Sequence, residues 1–98
     1  MAKGYVVVNL DVHDPELFEK YRAEAPKSIA QYGGKYIVRG GAMEVLEGDA
    51  PLPRVVVLEF PSVEQAKTWY NSPEYQSVIG MRHNAAHGRG FVVEGMDG

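Results

Sequence analysis

Val55-Val56-Val57-Leu58-Glu59-Phe60-Pro61-Ser62 reads as a strand that stops and a helix that starts. The run from Val55 to Phe60 is apolar except for Glu59 and opens with three β-branched valines. It predicts a strand buried on both faces. Pro61 brings no amide to a sheet ladder, so the strand ends there. Ser62 and Gln65 have the spacing of a capping box, in which the hydroxyl reaches the Gln65 amide and the Gln65 side chain reaches back. Val63, Ala66, Trp69 and Tyr70 then share one helical face. Asn71 or Ser72 interrupts that helix. Ser72-Pro73-Glu74 starts another, with a cap, a proline at the first position and an acid at the positive end of the dipole. Tyr75, Val78, Ile79 and Arg82 share a face of this second piece.

Upstream, Tyr5 to Val12 alternates with period two. Val6, Val8, Leu10 and Val12 make an apolar face; Tyr5, Val7, Asn9 and Asp11 make a mixed one. Asp14-Pro15-Glu16 is a helix start. Phe18, Tyr21, Ala25, Ile29 and Tyr32 form its apolar stripe, and Pro26 inside the stripe predicts a kink or a break. Gly33-Gly34 closes the helix. Lys35 to Arg39 is a second strand. Gly40-Gly41 is either a hairpin turn or a bulge in a longer strand that resumes over Ala42 to Glu47. The bulge is preferred, because Gly48-Asp49-Ala50-Pro51-Leu52-Pro53 suffices to turn the chain. Downstream, Met81 to Gly90 reads as a fraying helix end and a loop. Phe91 to Gly95 reads as the last strand, and Met96-Asp97-Gly98 as a tail.

The order strand, helix, strand, strand, helix, strand is that of an α+β, ferredoxin-like βαββαβ sandwich. It has a four-stranded antiparallel sheet with two helices on one face. Residues 1–98 make a single domain with its core at about 4–95. The uncovered face would hold Tyr5, Val7, Ile37 and apolar residues of the last two strands. It is too apolar to stay wet, and a second copy packed sheet to sheet would cover it.

Composition narrows the function classes. Apolar residues are 45% of 98, which is folded-domain composition. A net charge of −3 gives nucleic acid no basic patch and a membrane no polybasic run. There is no cysteine, hence no disulfide scaffold and no thiol nucleophile. No signal peptide or transmembrane run is legible, so the expectation is a cytoplasmic protein.

Several words of the sequence are more specific. Gly4-Tyr5-Val6-Val7-Val8, Asp14-Pro15, Tyr21, Tyr32-Gly33-Gly34, Arg39-Gly40-Gly41 and Glu47-Gly48-Asp49 are six of them. Leu58-Glu59-Phe60-Pro61-Ser62, Trp69-Tyr70 and Ser72-Pro73-Glu74-Tyr75 complete the set. Together they resemble the family catalogued as domain of unknown function 1330, from Gly4 to Gly95. That family is similar to the dimeric α/β-barrel superfamily, so the resemblance implies two ferredoxin-like sheets packed face to face. The superfamily includes cofactor-independent monooxygenases, muconolactone isomerase, haem-degrading enzymes and chlorite dismutases, and fold does not choose among them. The monooxygenase branch lines a pocket with a Trp and a Tyr, which the resemblance places at Trp69 and Tyr75. The Asn that accompanies them there is Gln65 here. No axial histidine of the haem branch aligns.

Candidate chemistry follows from the polar residues. Asn9, Asp11, Arg39 and Glu59 lie in strands. Together they would form a cleft in which Arg39 holds a carboxylate and Asp11 or Glu59 moves a proton. The bland alternative is mutual pairing at strand ends. Trp69, Tyr70 and Tyr75, with Tyr21 and Tyr32, would wall an aromatic pocket, or simply fill the core. Tyr75 and Arg82 would orient an anionic ligand. His83 and His87 are four apart, but two ligands with no acid between them make no metal site. Three functions remain open: a homodimeric small-molecule-binding protein, a cofactor-independent monooxygenase- or isomerase-like enzyme for a small aromatic or carbonyl compound, and an interaction domain without activity. None calls for a cofactor.

Overall fold

The computed structural model describes residues 2–96. Strands β1 (Gly4–Val12), β2 (Lys35–Arg39), β3 (Arg54–Phe60) and β4 (Ala86–Glu94) form one antiparallel sheet in the order β2-β3-β1-β4. Helices α1 (Pro15–Gln31), α2 (Val63–Tyr70) and α3 (Pro73–Ala85) complete the chain. This is the α+β sandwich expected, with its second helix in two pieces.

The caps explain where the helices begin. The Asp14 carboxylate accepts from the Leu17 amide at 3.2 Å, Ser62 Oγ from Gln65 at 3.0 Å and Ser72 Oγ from Tyr75 at 3.1 Å. Only half of the expected capping box forms. The Gln65 side chain donates instead to the Tyr32 carbonyl at 2.8 Å and ties α2 to the end of α1. Between α2 and α3, Asn71 ends one helix and Ser72 caps the next, so the interruption costs no unsatisfied amide.

The core lies between the sheet and the helices. Val6, Val8, Leu10, Leu58 and Phe60 supply the sheet side; Phe18, Ala25, Ile29, Ala66, Trp69, Tyr75 and Ile79 supply the helix side. β3 was expected to be buried on both faces. In the single chain Val55 and Val57 are only half-buried, because the helices cover just one side. The other side is a row of cross-strand neighbours, Val38–Val57–Val7–Phe91. Phe91 is 53% exposed and Val93 48%.

Four expectations are corrected. Helix α1 runs through Pro26 unbroken. The strand does not resume after Gly40-Gly41: residues 41–53 have no regular structure, and Leu46 is 92% exposed. That arm has no neighbouring strand in the chain with which to pair. The register shift falls earlier, between Tyr36 and Val38, where Ile37 is the extra residue. Finally, α3 continues to Ala85 and β4 begins at Ala86, where a loop and a strand from Phe91 were expected. Residues 97 and 98 of the expected tail lie outside the described residues. No helix among the described residues is long and apolar enough to cross a membrane.

Candidate functional site

The Ile37 bulge decides which strand residues meet. Strand side chains alternate, so Arg39 would share a face with Lys35 in a regular strand. One extra residue reverses this. Lys35 pairs with Glu59 on the open face, while Arg39 pairs with Val56 and joins Tyr36 on the helix face. The Arg39 guanidinium lies 4.5 Å from the centroid of the Tyr36 ring.

The strand constellation of Asn9, Asp11, Arg39 and Glu59 is therefore divided. Glu59 is on the open face, between Lys3 and Lys35. Its hydrogen bond to Lys3 holds its carboxyl below the usual range, and the same contact raises Lys3. Asp11 is on that face too, opposite His87, with 3.9 Å between carboxylate and imidazole. Six residues of β1 separate the two acids, roughly 20 Å of strand at the usual rise. Asn9 holds the loop before β3. Its amide donates to the Leu52 and Arg54 carbonyls at 2.9 and 3.0 Å, and its oxygen accepts from the Leu52 amide at 3.0 Å. It thereby fixes where Arg54 enters the sheet.

On the helix face, two spaces lie on either side of Trp69 and Arg82. The larger, about 290 Å³, is walled by Ala66, Lys67, Tyr70 and Asn71 and by Val92 of β4. On its floor β4 presents Gly90 opposite Val8, a position that puts no side chain into the space. The smaller, about 30 Å³, gathers the polar groups. Tyr21, Tyr36 and Tyr75 line it with Arg22, Arg39, Arg54 and Arg82. Among the described residues no carboxylate does.

Three of these side chains are joined. The hydroxyls of Tyr21 and Tyr75 are 2.7 Å apart, and Arg82 donates to the Tyr75 oxygen at 3.2 Å. Arg82 is 8% exposed and, among the described residues, has no carboxylate within ion-pair distance. Burial, followed by the neighbouring Tyr21, pushes Tyr75 far above the ordinary tyrosine range. It is a neutral hydroxyl at any physiological pH. Trp69, 2% exposed, packs 4.1 Å from the Tyr75 ring centroid and donates its indole N–H to Ser28 at 3.1 Å. It is both core and a wall of each space.

Of the residues singled out in the sequence, Arg39, Trp69, Tyr75 and Arg82 come together; Asn9, Asp11 and Glu59 do not join them. Tyr32 is also elsewhere, donating to Glu74 at 2.9 Å. His83 lies in the last turn of α3 while His87 lies in β4, stacked 6.4 Å from His13. Among the described residues no three His, Cys, Asp or Glu side chains are grouped to hold a metal. Reasoning from sequence missed Arg22 and Arg54. A signal for Arg22 was present in the sequence: Pro26, four residues on, has no amide to give to the Arg22 carbonyl.

A family model matches residues 3–96. The chain belongs to the family described as domain of unknown function, DUF1330. None of the curated proteins matches it. Among solved structures, this DUF1330 chain is similar to a protein of unknown function from Rhodopseudomonas palustris. They share 17% identity with a TM-score of 0.77, over 99% of this chain and 85% of that one. It is also similar to SnoaB, a cofactor-independent oxygenase from Streptomyces nogalater, at 12% identity and a TM-score of 0.66, over 100% and 97%. A conserved protein from Methanosarcina mazei shares 14% identity at a TM-score of 0.56, over 100% and 95%. At these identities the likeness is one of fold.

Proposed function

We propose that this DUF1330 protein is a homodimer, joined through its open sheet face, that binds a small polar organic molecule between sheet and helices. The observation that carries the binding reading is Arg82. A buried guanidinium without a counter-charge is expensive unless its donors find acceptors. Here the one side-chain acceptor among the described residues is the Tyr75 hydroxyl, and free space lies on either side. A ligand with a carbonyl, phenol or acid oxygen would complete that set, oriented by Tyr75 and Arg82 against Trp69. The dimer reading is supported by the row Val38–Val57–Val7–Phe91, exposed at its ends and half-buried in its middle, which a second copy would cover.

A cofactor-independent oxygenase is the second reading, favoured by the likeness to SnoaB. The lining residues weigh toward binding. Arginine stays protonated and Tyr75 is held neutral, so no side chain of the smaller space takes up a proton near pH 7.

The test follows Trp69 emission while phenols, aromatic ketones and aromatic acids are titrated. A saturable change that Tyr75→Phe weakens at least tenfold is expected. A wild-type protein whose emission nothing in the panel alters would sink the binding reading.

A further inference from the structure

The mouth of the smaller space has a second peculiarity, which the Tyr75–Arg82 pair does not explain. Arg22, Arg39 and Arg54 come from three elements and converge there. Among the described residues only Arg22 has an acidic partner, Glu19 at 2.7 Å, and that is on the exposed surface of α1. Among the described residues, the buried side-chain nitrogens without a hydrogen-bond partner are two, Arg22 Nε and Arg54 Nε. Both belong to this cluster. Burial, then the positive charges of Arg22 and Arg39, lower Arg54 below the usual arginine range. Such a cluster works against folding, and native buried donors are rarely left unmade.

The surroundings hold the guanidiniums in place. Pro26 has no N–H, so the Arg22 carbonyl lacks its helical donor; Arg39 donates to that carbonyl at 3.1 Å. Arg54 lies 5.1 Å from the centroid of the Phe18 ring and packs against the backbone of Gly40. A Cβ at Gly40 would stand 2.8 Å from the Arg54 guanidinium carbon, and φ there is +67°. Only glycine fits both conditions without strain. Asn9 fixes the Arg54 backbone from the other side.

We infer that Arg22, Arg39 and Arg54 form an oxyanion site that takes the carboxylate of a small organic acid. Planar guanidiniums match a carboxylate in a bidentate way, and three of them line one space. The free space, about 30 Å³, suits a head group rather than a whole ligand. The site opens into the cleft proposed above but is built from its own residues, so either reading can fail alone.

Thermal unfolding is measured with sodium acetate, sodium benzoate or neutral benzamide, against sodium chloride at equal ionic strength. Both carboxylates should raise Tm saturably beyond chloride, and benzamide should not. Arg54→Gln should weaken the carboxylate effect at least tenfold and raise the ligand-free Tm, since one of three like charges is gone. Pro26→Ala gives Arg22 its helical donor and releases Arg39. It should weaken carboxylate binding severalfold without loss of stability, which keeps the test open if Arg54→Gln folds poorly. The site is overturned if benzamide matches benzoate, if neither carboxylate exceeds chloride, or if both variants keep the wild-type response. It is also overturned if Arg54→Gln turns the dimer into monomers, which would give that guanidinium to the partner. Loss of the Trp69 response in Tyr75→Phe alone, with the carboxylate shift intact, would leave the anion site standing on its own.

Discussion

The two faces of this sheet hold charge in opposite ways. On the open face the acids of β1 and β3 each have a partner beside them: Glu59 has the cations Lys3 and Lys35, and Asp11 has the His87 imidazole. On the covered face four guanidiniums surround one small space, and among the described residues no carboxylate lines it. The net charge of −3 conceals this separation. Charges of one sign gathered with Glu19 on Arg22 as their one acidic partner among the described residues oppose the fold, so they call for a reason outside it. The proposed interface and the proposed receptor thus differ in charge, although the same four strands build both.

The largest effect should separate core from interface. Trp69→Ala removes a side chain 2% exposed, packed between Phe60 and Tyr75, and leaves Ser28 without its indole donor. It should cost about 3–5 kcal/mol, measured by urea unfolding, at every protein concentration. A cost below about 1 kcal/mol would mean that Trp69 bounds an open cleft more than it fills a core. Val57→Asp changes the middle of the open-face row instead. In the proposed dimer it should turn the species found by light scattering into a monomer, with a Tm that no longer depends on concentration. A Val57→Asp protein that stays dimeric would move the interface off this face.

Much of this division was legible in the sequence, and the illegible parts have identifiable causes. The caps at Asp14, Ser62 and Ser72 are local chemistry, so they could be read directly. The uncovered face followed from counting helices against strands. The site did not follow, because it turns on one extra residue. Nothing in Lys35-Tyr36-Ile37-Val38-Arg39 marks Ile37 as a bulge, yet the bulge moves Arg39 from the Glu59 face to the Tyr36 face. Gly40-Gly41 drew attention as a breaker, while Gly40 serves the approach of Arg54. The boundary between α3 and β4 was misplaced for a related reason. Ala85 and Ala86 join helix to strand with no loop residue between them, and Gly88 and Gly90 look like a loop but belong to a strand. Pro26 was read for what it does to a helix; its consequence for Arg39 needed the sheet to be placed beside it.

The smallest effect probes the paired side of the comparison. Glu59 has its carboxyl held below the usual range, first by its hydrogen bond to Lys3, with the Lys3 and Lys35 charges adding to it. A depressed carboxylate contributes stability that is present above its unfolded pKa and is lost as pH falls through the folded value. Glu59→Gln should therefore lower Tm slightly at neutral pH and flatten the acid limb of the profile below about pH 4.5, where carboxylates ordinarily titrate. Lys3, raised by the same pair, gives the mirror image: its share is present at neutral pH and is lost only at alkaline pH. The exposed lysines and solvent screening keep both changes small. Acetate should shift Tm of Glu59→Gln as much as it shifts wild type, since this acid and the arginine cluster are on opposite faces. A Glu59→Gln protein with an altered carboxylate response would mean that charge on one face is felt on the other, and the two faces could no longer be treated as separate devices.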